Sequence, residues 1–257
     1  MRITIVKKDG KARLRKLYDS FDVVKSGDIY VAVGGDGTFI KAAQMTDKPV
    51  LLIREDSNGS IGYHSDLGLK DLDRIVRKLK AGEYHIEHLS NKIEIIYNGK
   101  HYYVINEARL NNIMEEVSFK VFERMGKKRI RIYPFVMSGD GLVITSKMGS
   151  TAYNRSAGGP IILTPNVLCL TFLNADGPYN NPLVFDSSKE IEIEIVKYEG
   201  ILGFDNQRIS MLRKGDRFVV RLSEKRISAV RLNGNEESFA DKLERKMRSR
   251  MVRDFKE

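Results

Sequence analysis

Residues 28–41 read DIYVAVGGDGTFIK and decide the fold of the first part of the chain. An apolar run ends at the glycine-rich segment 34–38 (GGDGT), and apolar residues at helical spacing follow it. This order predicts a buried strand, a glycine turn and a helix whose start attracts phosphate. One carboxylate, Asp36, lies in the turn, where it is unfavourable unless it holds a metal ion or takes up a proton. We interpret the turn as a phosphate site with a catalytic or metal-binding Asp36; a purely structural turn is the alternative.

Residues 1–82 alternate between strand-like and helix-like patterns. Strands are predicted at 2–6, 28–33 and 49–53, and helices at 11–19, 38–45 and 71–80. Such alternation predicts an α/β domain with a parallel sheet and a ligand at the carboxyl edge of the strands.

The pattern changes near residue 85, where strand-like runs replace the alternation. Asn98-Gly99 lies between residues 85–97 and 101–110 and predicts a hairpin. In residues 190–195 Glu and Ile alternate, which predicts a strand with one solvated face. Residues 86–233 therefore look like an all-β, sandwich-like domain, and residues 238–255 like a basic helix that returns to the first domain. We place the domains at 1–84 plus 236–257, carrying GGDGT, and at 85–235.

Composition narrows the class of protein. No window approaches 18 uninterrupted apolar residues, so no transmembrane helix is expected. The single cysteine, Cys169, lies in an apolar run and cannot form an internal disulfide, which favours a buried thiol in a cytoplasmic protein. The net charge of +10 fits a nucleic-acid binder and equally an enzyme for polyanionic nucleotides.

Two further stretches carry chemistry in the β-rich part. Asn106-Glu107 follows an apolar strand, and an amide next to a carboxylate can hold the vicinal hydroxyls of a ribose. Residues 138–162 combine glycines, small hydroxyl residues and Tyr153. Their polar groups suit an adenine edge, while Tyr153 suits its face.

These motifs resemble those of known kinases. The GGDGT segment is similar to the motif shared by NAD kinases, diacylglycerol and sphingosine kinases and 6-phosphofructokinases. Asn106-Glu107, Asp140-Gly141 and the segment 149–160 (GSTAYNRSAGGP) resemble the NAD kinase family in particular, and the match is collinear from about residue 30 to 207. The resemblance implies an α/β domain plus a β-rich NAD-binding domain, in a homodimer or homotetramer. It also implies transfer of the γ-phosphoryl group of ATP or polyphosphate to the 2′-hydroxyl of the adenosine ribose of NAD, with Mg²⁺ or another divalent cation, giving NADP.

The resemblance also implies the site residues. Asp36 matches the catalytic position, and no residue is expected to be a dedicated metal ligand. The positions expected to bind substrate or nucleotide are Gly35, Gly37, Thr38, Lys41, Asn106, Glu107, Asp140, Thr151, Ala152, Tyr153, Ser156 and Gln207.

The chain departs from the family pattern at three places. Residues 53–66 keep the glycines of the family segment but add charge and His64. Residues 146–148 read Ser-Lys-Met in place of Thr-Pro-Thr, and Asn206 replaces a glycine. These departures leave the phosphoryl donor and the choice between NAD and NADH open.

Three alternatives compete with this interpretation. A lipid or sugar kinase would share GGDGT but gives no reason for the 149–160 segment. A nucleic-acid-binding protein would use the basic C-terminal helix, although no nucleic-acid motif supports it. A non-catalytic NAD sensor is disfavoured by Asp36. The expected partners are therefore NAD and a nucleoside triphosphate, with no nucleic acid and no membrane.

Overall fold

The structure, a computed structural model, describes residues 1–7, 14–55, 67–233, 238, 240–244 and 247–248. Most of the divergent segment 53–66, including His64, lies outside these residues, as does much of the predicted C-terminal helix. Two compact units make up the chain, Met1–His88 with Ile227–Glu257 and Leu89–Arg226. Among the described residues, no helix is long and apolar enough to cross a membrane.

The elements follow in chain order. Those that begin in the first unit are β1 (Arg2–Lys7), α1 (Arg15–Ser20), β2 (Asp22–Val23), β3 (Ile29–Val33), α2 (Asp36–Met45), β4 (Val50–Ile53), a 3₁₀ turn (Leu69–Asp71), α3 (Leu72–Ala81) and β5 (Tyr84–Tyr97). Those that begin in the second are β6 (Lys100–Val104), β7 (Glu107–Asn112), β8 (Val117–Met125), β9 (Lys128–Arg131), β10 (Met137–Gly139), β11 (Gly141–Thr145), a 3₁₀ turn (Gly149–Thr151), α4 (Tyr153–Ser156), β12 (Val167–Leu173), β13 (Leu183–Asp186), β14 (Glu190–Lys197), β15 (Gly200–Phe204), β16 (Gln207–Leu212) and β17 (Arg217–Leu232).

The first unit is built on a parallel sheet. β1 pairs with β2 and β3, β3 pairs with β4, and β4 meets β17 at Ala229, all in parallel. β3 and β4 are buried along their whole length, as expected of parallel strands covered on both faces. α3 buries Ile75, Val76 and Leu79 in the core of this unit. The predicted α/β domain with a parallel sheet is thus confirmed.

The C-terminal helix belongs to the first unit, as predicted. Residues 240–244 are helical, and the buried Lys242 places Nζ 3.6 Å from a carboxylate oxygen of Glu87 at the start of β5.

The second unit is a sandwich of two sheets. One sheet has the strand order β13-β12-β11-β7-β15-β16, and the pairings along it are antiparallel. The other sheet contains neighbouring strands in the order β10-β8-β14-β17. In the same sheet β9 pairs with β8, and β6 pairs with β5. Apolar side chains from both sheets form one core that includes Ile93, Phe119, Leu142, Leu170 and Phe218. This confirms the predicted all-β, sandwich-like domain.

The strand-like run 101–110 is in fact two strands in different sheets. β6 ends at Val104 and pairs with β5, whereas β7 begins at Glu107 and pairs with β11. The chain changes sheets at Ile105 and Asn106. This crossing places Asn106 and Glu107 at a strand end that the apolar pattern alone does not reveal.

The prediction of a solvated face on β14 is wrong. Glu192 is only 4% exposed, because the hairpin of β8 and β9 brings arginines over that face. A guanidinium nitrogen of Arg129 lies 2.6 Å from Glu192 and 2.7 Å from Glu194, and Arg124 lies 3.5 Å from Glu192. Alternation correctly indicates which residues share a face, but ion pairs and not water cover the polar one.

Candidate functional site

The glycine turn and Asp36 lie between β3 and α2 in the first unit. α2 begins at Asp36, with Gly35 as its N-cap residue. The backbone N–H groups of Thr38 and Phe39 both donate to the carbonyl oxygen of Gly35, at 2.9 and 3.2 Å. Phe39 is buried and anchors the helix, while Asp36 is only half-buried. The carboxylate of Asp36 is therefore carried by the positive end of a helix dipole, with access to solvent.

The three glycines of the turn have different roles. Gly34 has φ +149°, and a Cβ atom there would lie 2.3 Å from Oγ1 of Thr38, so the turn needs glycine at this position. A Cβ atom on Gly35 or Gly37 would meet nothing within 4 Å. These two exposed glycines leave the backbone open to a ligand. Lys41 is exposed one helical turn beyond Gly37, where an ammonium group can reach a phosphate.

In the second unit, Asn106 is fixed at the point where the chain changes sheets. Oγ1 of Thr145, at the end of β11, donates to the carbonyl oxygen of Asn106 at 2.8 Å. Gly149 packs against the same carbonyl, since a Cβ atom on Gly149 would lie 2.0 Å from that oxygen. The backbone of Asn106 is thus held from two sides, and its side chain is half-exposed.

Asp205 holds the same segment from a hairpin turn. The carboxylate of Asp205 accepts hydrogen bonds from three consecutive backbone N–H groups, those of Ile105, Asn106 and Glu107, at 2.8, 2.7 and 3.2 Å. The N–H of Asp205 donates in return to the carbonyl oxygen of Glu107 at 3.3 Å. With φ +41° at Asp205 and +75° at Asn206, the two-residue turn has the left-handed geometry of a tight hairpin. Asn tolerates this conformation, which explains how Asn206 can replace a glycine.

Glu107 carries a buried carboxyl group at the start of β7. It is 5% exposed, and Oε2 has no hydrogen-bond partner among the described residues. Burial first, and the nearby Asp205 carboxylate second, raise the pKa of Glu107 from 4.5 to about 7, while Arg109 opposes the rise. A buried acceptor without a donor is costly, so this oxygen is suited to accept a hydrogen bond from a ligand.

The segment 149–156 lies at the same end of β11. Its 3₁₀ turn buries Ser150 and Thr151, and α4 follows. Asn154 is buried and fixes the segment: its Oδ1 accepts from Oγ1 of Thr171 at 2.7 Å, and its Nδ2 donates to the carbonyl of Pro160 at 3.0 Å. The neighbouring positions are partly or fully exposed and available to a ligand; they are Ala152, Tyr153 and Ser156.

The second unit therefore brings Asn106 and Glu107 next to the start of the segment 149–156, but not next to Asp140. Glu107 pairs with Thr145 at one end of β11, and Asp140 precedes its other end, about 16 Å away at ~3.3 Å per residue. The carboxylate of Asp140 accepts from Nδ2 of Asn112 at 2.8 Å and from Nδ2 of Asn174 at 2.6 Å. Gln207 is exposed at the start of β16, two residues after Asp205.

The predicted set omits three residues that shape the site: Asp205, Thr145 and Asn154. Only Asp205 had a sequence signal. Asp-Asn between two strand-like runs is a pair that tolerates the positive φ angles of a tight hairpin. The partners of all three lie far away in sequence or on another element.

A cavity of about 470 Å³ in the second unit contains none of the predicted residues. Its lining includes Glu94, Tyr103, Arg221 and Lys225. Arg221 donates to Glu94 at 2.6 Å, and the ammonium group of Lys225 lies 3.6 Å from the centre of the Tyr103 ring. These charges already have partners within the protein, so the motifs are a better guide to the site than the cavity.

Comparison with known proteins shows which family the chain is similar to. The family model for the C-terminal domain of ATP-NAD kinases matches residues 123–232. An NAD kinase of Wolinella succinogenes is 31% identical over 207 residues, which cover 77% of this chain and 69% of the relative. An NAD kinase of Thermoplasma acidophilum is 31% identical over 240 residues, 88% of this chain and 81% of the relative.

Solved structures show the same fold. The crystal structure of a yeast NADH kinase in complex with NADH is 18% identical, with a TM-score of 0.74, and the match covers 95% of this chain and 85% of that one. An NAD kinase from Archaeoglobus fulgidus in complex with ATP is 18% identical, with a TM-score of 0.72, and the match covers 97% and 99% of the two chains. Because this chain is 31% identical to each of these two NAD kinases over most of its own length and most of theirs, it belongs to the NAD kinase family.

Proposed function

We propose that the protein is an NAD kinase that transfers the γ-phosphoryl group of ATP, or of polyphosphate, to the 2′-hydroxyl of the adenosine ribose of NAD, giving NADP. The observation that carries the proposal is the buried Oε2 of Glu107, which has no hydrogen-bond partner among the described residues. A ribose hydroxyl supplies the donor that this oxygen lacks. Asn106 lies next to it, and the segment 149–156, at the same strand end, suits an adenine.

Asp36 is the proposed general base. It takes up the proton of the 2′-hydroxyl as the oxygen attacks the phosphoryl group. The open backbone of Gly35 and Gly37, the hydroxyl of Thr38 and the ammonium group of Lys41 bind donor phosphates at the start of α2. These residues all lie in the glycine turn and in the helix that follows it, so the backbone of this short segment fixes their relative positions.

The second unit supplies the proposed substrate contacts. Asn106 and Glu107 hold the ribose, and polar groups of Thr151, Ala152 and Ser156 bind the adenosine with Tyr153 against the base. Asp140 and Gln207 are proposed substrate contacts by family resemblance alone.

The residues present fit a Mg²⁺ ion that is carried mainly by the donor. Among the described residues, no group of three or more His, Cys, Asp or Glu side chains could hold a metal. Mg²⁺ in phosphoryl-transfer enzymes usually keeps several waters and is bound in large part by substrate phosphates, so the donor would hold the ion while Asp36 stays available as the general base. When bound, the ion supplies charge neutralisation on the phosphates.

The test is formation of NADP by the purified protein with MgATP or polyphosphate and with NAD or NADH. Diacylglycerol and fructose 6-phosphate are offered in parallel as acceptors for the rival kinase classes. Phosphorylation of either rival acceptor, without formation of NADP or NADPH, would disprove the proposal. Light scattering on the same sample measures the proposed dimer or tetramer.

The role of Asp36 has its own test. Asp36→Asn is expected to lower kcat by about 10²- to 10⁴-fold, because a general base is lost. The affinity for NAD, measured by calorimetry, should stay within about threefold, since Asp36 acts on the proton and not on binding. Asp47→Asn, an exposed position in the same unit, is the matched control. Near-normal turnover of Asp36→Asn would refute the assignment.

A further inference from the structure

We infer that Asp205 is a positioning residue that sets the place of Asn106 and Glu107 for the ribose of NAD. The inference rests on the function proposed above. Asp205 contacts the backbone of the segment and acts on the substrate only through it. Its carboxylate bonds the N–H groups of all three residues at the sheet crossing, Ile105, Asn106 and Glu107.

The chemistry of this contact requires a carboxylate. Three N–H donors need several lone pairs on one side chain, and an ionised Asp offers about four on two oxygens. An Asn side chain of the same size offers one oxygen, and its NH₂ group would face the N–H donors. A neutral residue in the turn would therefore leave at least one N–H group without a partner. The backbone at Asn106 and Glu107 would then lose the contact that sets its path.

The position of the turn explains why a residue so distant in sequence has this role. Phe204 pairs with Ala108 on β7, so the hairpin of β15 and β16 ends beside the start of β7. The N–H of Asp205 donates to the carbonyl of Glu107, so the turn and the strand start are joined in both directions. The side chain of Asp205 reaches beyond Glu107 to the backbone of Ile105 and Asn106, where the chain changes sheets.

The same contact places two carboxyl groups close together. The charged groups that act on Glu107 are Asp205 on the hairpin turn and Arg109 on its own strand, and the paired strand contributes the uncharged Thr145. Asp205 opposes ionisation of Glu107. The charge of Asp205 therefore acts on the protonation of a proposed ligand-binding group, so its removal has a readout in the pH profile besides stability.

The experiment compares Asp205→Asn with Asp186→Asn, a chemically identical change at an exposed turn, where Asp186 accepts from the N–H of Ser188 at 2.9 Å. Asp205→Asn is expected to lower kcat/KM for NAD by about tenfold or more, because a displaced binding pair is costly, while KM for ATP changes by less than about twofold. Asp186→Asn should leave both unchanged. A value of kcat/KM for NAD within twofold of the parent in Asp205→Asn overturns the inference.

The pH profile separates positioning from general loss of structure. Ionised Glu107 accepts the ribose hydroxyl, so kcat/KM for NAD in the parent should rise with pH through a limb near 7. Asp205→Asn removes the negative charge and should move this limb to lower pH. Asp205→Glu keeps the charge but cannot place its longer side chain over the same N–H groups, so it should lower kcat/KM without that acid shift. An unmoved limb in Asp205→Asn contradicts the inference.

A measurement that does not depend on activity keeps this inference separate from the proposed function. Hydrogen exchange of the amides of Ile105, Asn106 and Glu107 should be slow in the parent and about tenfold faster or more in Asp205→Asn. If the parent makes no NADP but these amides exchange as expected, the proposed function fails, while the hydrogen bonds by which Asp205 positions the segment are supported. Rapid exchange of these amides in the parent overturns the inference, even if no variant folds.

Discussion

Replacing Glu107 with Gln should stabilise the protein at neutral and alkaline pH. In the unfolded chain the carboxyl group ionises near its ordinary pKa of 4.5, whereas in the native protein it keeps its proton up to about 7. Native Glu107 therefore binds more protons than unfolded Glu107 between these two values. The contribution of Glu107 to the free energy of unfolding therefore falls as pH rises through this window, and the full penalty persists above it.

The size of the effect follows from the pKa. A rise from 4.5 to about 7, at about 1.4 kcal/mol per unit, corresponds to a penalty of about 3 kcal/mol above pH 7. Since Gln carries no charge, Glu107→Gln removes this penalty. The stability difference between variant and parent should therefore grow from under about 1 kcal/mol at pH 5 to about 3 kcal/mol at pH 8, relative to any constant packing change.

Urea denaturation followed by circular dichroism at pH 5 and pH 8 measures this difference. The control is Glu199→Gln, because Glu199 is exposed and pairs with Arg213 at the surface. If the parent and Glu107→Gln change stability equally between the two pH values, the reasoning about the buried carboxyl is refuted. The variant should also bind NAD more weakly, since Gln lacks the charged acceptor, so stability and binding change in opposite directions.

Two further substitutions test features that stabilise the fold, the close contact at Gly34 and the ion pair between Arg221 and the buried Glu94. Gly34→Ala should lower the free energy of unfolding by about 2 kcal/mol or more, because of the close contact and the positive φ. Gly35→Ala, where the methyl group meets nothing, is its control in the same denaturation assay; equal losses would contradict the argument. Arg221→Met should cost about 2 kcal/mol, since Glu94 is buried and loses its guanidinium partner. Arg213→Met removes an exposed pair and should cost less than about 1 kcal/mol; similar costs for both would refute the distinction.

Several elements were predicted correctly from residues that are close together in the sequence. Residues 28–41 contain an apolar run, then glycines, then apolar residues at helical spacing, and the structure has β3, the turn and α2 in that order. Asn98-Gly99 predicted a hairpin, and both residues have positive φ in the turn between β5 and β6. These predictions succeed because turn residues and periodicity act within a few positions of the chain.

Long-range pairing limited what the same patterns could show. The alternation in β14 predicted the strand correctly, yet only the structure places Arg129 against Glu192 and Glu194, more than sixty positions away. The environment of a face depends on what packs against it, which a two-residue period does not contain.

The candidate site divides in the same way. Residue types and spacing by themselves determined the family resemblance and the positions expected to meet a nucleotide, including Asp36, Asn106 and Glu107. Only the tertiary structure decided that Glu107 is buried with an oxygen that has no partner among the described residues, and that Asp205 clamps the strand start from about a hundred positions away. The physical reason is that burial and hydrogen-bond partners are properties of the folded surroundings, which exist only once the two sheets of the second unit have brought distant turns together.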